Sequence, residues 1–337
     1  MMINEKLIEW YRENKRDLPW RNSKDPYCIW VSEIMLQQTR VEAVKPYYAR
    51  FINRLSTIED LSYCKEDELI KLWEGLGYYS RVRNMQKAAR TCMEKYEGKL
   101  PDNYDALIQL SGIGPYSAAA ISSIAFKENK VAIDGNVMRV FARLLCIEED
   151  ISTKSAQAQI QAYFQENPYE DMGEMNQAIM DFASAICLPK TSVRCNICPL
   201  KEECKAYQMH KEMHLPIKKK KKDRRKEKHT VLMYVCKNKV LLHKRSSKGL
   251  LAGLYEFTTV ENHKTKKELP KSLYLGKYKH IFSHVEWDMK GFLIVCEEMF
   301  ESDGIWVEIE DMIRNYSIPS AFSYYRTKLL EYYAQTK

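Results

Sequence analysis

The stretch LSGIGPYSAAAISSIAFKENKVAIDGNVMRV, running from Leu110 to Val140, decides the fold. Gly112 and Gly114 make a tight turn between a short amphipathic helix, YDALIQL (104–110), and a helix of small residues, SAAAISSIA (117–125). The first backbone N–H groups of that second helix lack intrahelical partners, so they form a seat for an anion such as a phosphate. A Gly-x-Gly turn by itself is a common helix connector. Here a lone carboxylate, Asp134, follows twenty residues after Gly114, where the next helix begins. Aspartate is also a favoured helix N-cap, and the two roles are compatible.

At 337 residues the chain is long enough for about two domains with separate cores. It holds no apolar run of the roughly 18 residues that a membrane helix needs. The start, MMINEKLIEWYREN, reads as an amphipathic helix without a signal-peptide apolar core, which predicts a cytoplasmic protein. Ten cysteines without a secretory signal fit a reducing compartment rather than a disulfide scaffold. Six of them (Cys28, Cys64, Cys92, Cys146, Cys236 and Cys296) are scattered and read as small buried hydrophobes. The net charge of +8 is concentrated in residues 217–228, IKKKKKDRRKEK, which hold nine Lys/Arg against two Asp/Glu. Residues 1–216 are slightly acidic, so a nucleic-acid-binding face there must gather its positive charge locally.

Helical spacing of apolar residues dominates residues 1–215, in segments such as NEKLIEWYRENK, EDELIKLWEGL and GNVMRVFARLL, and predicts an all-α domain. Residues 216–228 lack apolar content and read as an exposed basic linker, either a non-specific phosphate contact or a merely solvated tether. From 229 to 337 the pattern changes. HTVLMYVCKNKVLLHKR predicts two strands around Lys237-Asn238, HVEWDMKGFLIVC another strand, and PSAFSYYRTKLLEYY a terminal helix, so this part reads as α+β.

The remaining cysteines, Cys187, Cys195, Cys198 and Cys204, fall within eighteen residues at C-x7-C-x2-C-x5-C. Four thiolates on a compact loop hold either a [4Fe–4S] cluster or a zinc ion, with His210 and His214 as substitute ligands in the zinc case. Glu33 lies in IWVSEIMLQQTR, hemmed in by apolar neighbours that favour its protonated form, as a general acid requires. Alone, it reads equally well as a surface glutamate paired with Arg40 or Lys45. Together with Asp134 it supplies what glycosidic cleavage needs, one proton donor and one carboxylate beside a cationic sugar.

The motifs DLPWR (17–21), WVSEIMLQQTRV (30–41), GLGYYSR (75–81), LSGIGPYSAAAI (110–121), AIDGNVMRV (132–140), the cysteine loop, LLAGLYEF (250–257) and IFSHVEW (281–287) together resemble the bacterial MutY-type adenine DNA glycosylases. These are helix-hairpin-helix enzymes of the endonuclease III superfamily that remove adenine mispaired with 8-oxoguanine in duplex DNA. The resemblance covers the chain from about Lys15 to its C-terminus. It implies a helix-hairpin-helix domain with a [4Fe–4S] loop and a C-terminal MutT/Nudix-like domain. It implies that Glu33 protonates the adenine and that Asp134 stabilises the oxocarbenium sugar or attacks it transiently. Tyr116 and Asn136 would line the same pocket, and Arg16, Trp20, Arg21 and Gln177 would surround the adenine.

Gly112, Gly114 and Ser117 would hold DNA, while Gln38 and Tyr78 fall at wedge positions with Thr39 and Leu76 beside them, filling the gap left by a flipped base. In the bifunctional branch a nucleophilic lysine stands where this chain has Tyr116, and a phenol cannot form a Schiff base. Glycosylase activity without efficient strand nicking is therefore expected. After LLAGLYEF the sequence TTVENHKTKKELPKSLY lacks the acid-rich Nudix box, and Phe282, Ser283 and His284 match the loop that contacts 8-oxoguanine. Departures from the family pattern are seven residues rather than six between Cys187 and Cys195, Ser111 where Pro is frequent, and Ala119 where Gly is common. Two other classes compete with the monofunctional enzyme, which is expected to act as a nucleoid-associated monomer. They are a bifunctional glycosylase/lyase, disfavoured by Tyr116, and a non-catalytic iron–sulfur DNA-binding protein, disfavoured by the intact carboxylates. A Nudix hydrolase ranks behind both.

Overall fold

The computed structural model describes residues 2–189, 192–219 and 223–336. The chain divides into two compact units, one of Met1–Tyr63 with Arg83–Lys220, the other of Cys64–Val82 with Lys221–Lys337. No helix among the described residues is long and apolar enough to cross a membrane.

The first unit is helical. It begins with α1 (Ile3–Asn14), α2 (Pro26–Leu36), α3 (Val41–Arg54) and α4 (Ile58–Tyr63). The next helix, α5 (Glu66–Trp73), belongs to the second unit, and α6 (Ser80–Lys95) leads back. There follow α7 (Tyr104–Leu107), α8 (Pro115–Phe126), α9 (Gly135–Leu144), α10 (Lys154–Glu166), α11 (Met172–Ala185) and α12 (Lys205–Gln208). The segment YDALIQL yields only one turn of helix, α7, capped at its start by Asn103 at the Ala106 N–H and ending at Ile108, where the chain turns toward the Gly112–Gly114 hairpin.

Two helices of this unit are apolar nearly all round and are buried accordingly. In α2, Asp25 caps the Tyr27 N–H, Pro26 occupies the first turn, and Trp30, Val31 and Met35 are fully inaccessible. In α8, Ala118, Ala119, Ala120 and Ile121 are buried, and the small size of the three alanines lets α2 and α11 approach closely. At the α11 crossing, a Cβ on Gly173 would stand 2.6 Å from the Ser123 carbonyl oxygen, so only glycine fits. The amphipathic α9 buries Val137, Val140 and Phe141 in a core shared with α1, α10 and α11. Each such large side chain contributes about 2–3 kcal/mol.

The second unit holds a seven-stranded mixed sheet of β1 (Arg225–Cys236), β2 (Lys239–Lys244), β3 (Tyr255–Glu256), β4 (Thr258–Glu261), β5 (Ser272–Ile281), β6 (Val285–Val295) and β7 (Ile305–Glu308), with α13 (Ile309–Asn315) and α14 (Ser323–Thr336). The strands β1 and β2 flank Lys237-Asn238 antiparallel, with Cys236 opposite Lys239. β1 pairs parallel with β6 and starts inside the basic run, which shortens the linker read from the sequence. In that register Lys226 stands opposite Glu286 and Lys228 opposite Asp288. Lys220, Lys221 and Lys222 of the run lie outside the described residues. Where a Nudix helix would follow β4, residues 262–271 run through turns.

Candidate active site

The buried apolar helix α2 carries Glu33 into a cavity of about 860 Å³ within the helical unit. Asp134, Tyr116 and Asn136 line the same cavity. The Tyr116 hydroxyl donates to Glu33 Oε2 at 3.0 Å. Burial in the cavity wall pushes the Glu33 carboxyl up to about 7; the Tyr116 hydrogen bond and the Arg21 charge oppose that rise, and the Asp134 charge adds to it. Tyr116 itself is raised well above its ordinary range, first by burial, so it remains a neutral donor.

Asp134 is the N-cap of α9. Its Oδ1 accepts from the Asn136 N–H at 2.7 Å and the Val137 N–H at 2.9 Å, and its Oδ2 from the Asn136 side-chain amide at 2.9 Å. Burial holds its carboxyl above the ordinary aspartate value, while these donors and Arg139 favour the ionised form. The cap therefore fixes the carboxylate's direction while Asp134 remains on the cavity wall.

Arg16, Trp20, Arg21 and Gln177 line the cavity too. Both arginines converge on Asp181, a residue the sequence reading missed. Arg21 binds it through two hydrogen bonds of 2.7 and 2.9 Å, and Arg16 through its Nε at 2.7 Å and its backbone N–H at 3.1 Å. Asp181 is 2% exposed and held below the usual carboxylate range, the guanidinium and N–H donors outweighing a burial penalty that is the largest single influence. Trp20 packs edge-on to Tyr48, and Gln177 accepts from the Tyr11 hydroxyl at 3.3 Å.

Gln38, Thr39, Gly114 and Ser117 border this cavity, with Gln38 exposed in a left-handed conformation (φ 58°) at the end of α2. Gly112 adopts φ 80°, and a Cβ there would meet Asn84 Cβ at 2.6 Å. Gly114 caps α8 with no side chain over the free N–H groups. Leu76 and Tyr78 belong to the other unit, Leu76 buried and Tyr78 48% exposed. In that unit Phe282, Ser283 and His284 form the turn between β5 and β6, closed by the Phe282 N–H to Val285 O at 2.8 Å. The Phe282 ring packs on Trp287, whereas Ser283 and His284 are exposed.

Cys187, Cys195, Cys198 and Cys204 line a second cavity beneath α9. Arg143 donates to Cys187 Sγ at 3.2 Å, and its Nη2 is buried with no partner among the described residues. Among the described residues no three His, Cys, Asp or Glu side chains converge as a single ion would require. Four cysteines around one void, with a guanidinium beside Cys187 to offset thiolate charge, fit a thiolate-bound metal group. His210 and His214 are not among the residues lining that void. Arg139, also unforeseen, links the two regions: it donates to Cys187 O at 2.8 Å and to Asn136 Oδ1 at 3.1 Å.

Residues 31–166 match the HhH-GPD superfamily of base excision DNA repair proteins, and residues 230–328 match the NUDIX domain. An adenine DNA glycosylase of Buchnera aphidicola subsp. Baizongia pistaciae is 36% identical over 298 residues, covering 85% of this chain and 84% of the relative. The adenine DNA glycosylase of Homo sapiens is 31% identical over 353 residues, covering 83% of this chain and 64% of the relative. Among solved structures, a thermostable thymine-DNA glycosylase superposes with TM-score 0.56 at 27% identity, over 61% of this chain and 95% of that one. An endonuclease III bound non-covalently to DNA superposes with TM-score 0.53 at 22% identity, over 62% and 99% of the two chains, a likeness of fold. With a relative 36% identical matched along most of both chains, the chain belongs to the adenine DNA glycosylase family of base-excision repair enzymes.

Proposed function

We propose that the chain hydrolyses the N-glycosidic bond of adenine paired with 8-oxoguanine in duplex DNA, as a monofunctional glycosylase and a monomer. The observation that carries this is Glu33, held at about 7 and hydrogen-bonded to Tyr116 in the cavity that also holds Asp134. A carboxyl at that value is half protonated at neutral pH and donates a proton to the departing purine. Asp134, directed by the N–H groups of Asn136 and Val137, faces the cationic sugar and stabilises it or traps it transiently until water arrives. Arg16 and Arg21, braced on Asp181, and Gln177 present donors and acceptors to the base edge, which discriminates strongly against bases of another pattern. No lysine stands among the described residues lining the cavity, in keeping with hydrolysis rather than β-elimination.

The reading takes a helical glycosylase domain, a basic linker and a Nudix-like domain, in which Phe282, Ser283 and His284 are the lesion reader by their resemblance to the family's loop. Gln38, Thr39, Leu76 and Tyr78 then fill the emptied stack, and the Gly112–Gly114 hairpin with Ser117 seats a phosphate. Cys187, Cys195, Cys198 and Cys204 would hold a [4Fe–4S] cluster, which supplies a structural tie for the loop after α11. The enzyme acts on the cytoplasmic nucleoid. The test is single-turnover cleavage of duplexes with A or C opposite 8-oxoguanine, read with and without hot alkali, for the unsubstituted chain and Glu33→Gln. Alkali-dependent breaks confined to adenine and lost in Glu33→Gln support the assignment. Nicks without alkali, or no adenine release by folded protein, refute it.

A further inference from the structure

Residues 64–82 are flanked on both sides in sequence by the helical unit, yet they pack with the C-terminal one. The fastening runs through Glu74, the C-cap of α5, whose side chain is 18% exposed. Its Oε1 accepts from the Ile318 backbone N–H at 3.1 Å and from Arg326 Nη1 at 3.4 Å, while its Oε2 accepts from Lys71 Nζ at 2.6 Å. Lys71 in turn donates to the Ile313 carbonyl at 2.7 Å and the Tyr316 carbonyl at 3.3 Å at the end of α13. A second pair, Lys244 with Asp67 at 2.9 Å, joins β2 to the start of α5.

Directly after Glu74 come Gly75 (φ 104°), Leu76, Gly77 (φ 71°) and Tyr78 (φ 48°). This loop is internally set. Arg81 donates to the carbonyls of Leu76 and Gly77, and Trp73 Nε1 to that of Gly77. Its parts are therefore set relative to one another, and Glu74, directly before it, is the acceptor that ties it to the Ile318 N–H and Arg326 of the C-terminal core. On the other side of the tie, Ile318 and Phe322 sit in the core of that unit. Phe322 packs on Trp287 at 6.1 Å, and Trp287 on Phe282 at 5.0 Å. A continuous train of packed groups thus runs from Phe282 through Trp287, Phe322 and Ile318 to Glu74 and the 75–78 loop.

We propose that Glu74 is a specificity-determining positioning residue: it holds the 75–78 loop at a fixed place relative to the turn Phe282–Ser283–His284. The inference rests on the reading of that turn as the lesion reader. When the turn engages 8-oxoguanine, the tie delivers Leu76 and Tyr78 to the duplex at the lesion, so recognition of the opposite base is converted into a faster excision. Opposite guanine the turn gains no such contact, and the rate there is independent of Glu74.

The experiment compares single-turnover adenine excision opposite 8-oxoguanine and opposite guanine for the unsubstituted chain, Glu74→Ala, Glu74→Gln and Arg326→Ala. Glu74→Ala is expected to cut the preference for 8-oxoguanine about tenfold, within the usual range for coupled sites, with the rate opposite guanine unchanged. Glu74→Gln keeps an acceptor for the Ile318 N–H and is expected to recover most of the preference. Amide exchange of residues 75–79 is expected to accelerate in Glu74→Ala and not in Glu74→Gln. If Glu74→Ala fails to fold, Arg326→Ala, which spares that backbone hydrogen bond, decides through a smaller loss of the same preference. An unsubstituted chain without preference for 8-oxoguanine overturns the lesion reading and the tie with it. A clear preference in that chain that survives intact in the folded variants overturns the tie alone.

Discussion

The Tyr116 hydroxyl donates to Glu33 Oε2 at 3.0 Å, joining the first turn of one buried helix to the middle of another. The bond favours the ionised carboxylate, and it restrains a value that burial and Asp134 drive up to about 7. Removing it lets the carboxyl rise further. Since the reaction needs protonated Glu33, activity falls as pH rises through that value. Tyr116→Phe is therefore expected to move the alkaline limb of the single-turnover pH–rate profile from about 7 to higher pH, and an unmoved limb would show that another group limits the rate.

The same displacement acts on stability. Glu33 binds its proton more tightly in the folded chain than at its ordinary 4.5, so its contribution is full below pH 4.5 and is lost as pH rises through about 7. Glu33→Gln, which has no charge to bury, is expected to melt at higher temperature than the unsubstituted chain at pH 8, with the gap closing near pH 4. The full displacement bounds the effect at roughly 3 kcal/mol, reduced because the carboxyl faces an open cavity. Thermal unfolding at both pH values measures it, and a gap independent of pH would contradict the assignment.

How much of this was legible depends on whether partners are near in sequence. The caps of Asp25 and Asp134, the glycine turn and the strand pair about Lys237-Asn238 are local, and local spacing exposes them. Asp181 gave no such signal, because its arginine partners lie 160 and 165 residues away. Glu74 joins residues 244 and 252 positions distant, so no window along the chain could reveal that the segment 64–82 packs with the C-terminal unit. For Arg139 a signal did exist: it and Arg143 stand one turn apart among the apolar residues of VMRVFARLL, where a buried charge needs a partner.

The cysteine loop makes a compositional prediction. Protein purified without oxidation is expected to carry about four irons and four sulfides per chain and to absorb near 400 nm, as a cubane held by four thiolates does. Cys198→Ser is expected to lower iron content and thermal stability together, because the four residues wall a void beneath α9. Stoichiometric zinc in a colourless protein would overturn the iron–sulfur assignment.

The two hairpin glycines should part company under substitution. Gly112 holds φ 80°, and an added Cβ would meet Asn84 Cβ at 2.6 Å, so Gly112→Ala combines backbone strain with a clash. It is expected to cost about 1–3 kcal/mol of stability. Gly114 has an ordinary backbone (φ −91°), and nothing lies within 4 Å of a Cβ built on it. Gly114→Ala should therefore fold with little loss while placing a methyl beside the free N–H groups that open α8. If those groups seat a phosphate, that variant binds duplex DNA more weakly and with a salt slope shallower by about one. Melting temperature and salt-dependent Kd for both variants separate the two effects. A Gly114→Ala chain that binds DNA as tightly and as salt-sensitively as the unsubstituted one would remove the hairpin from the phosphate contacts and leave it a helix connector.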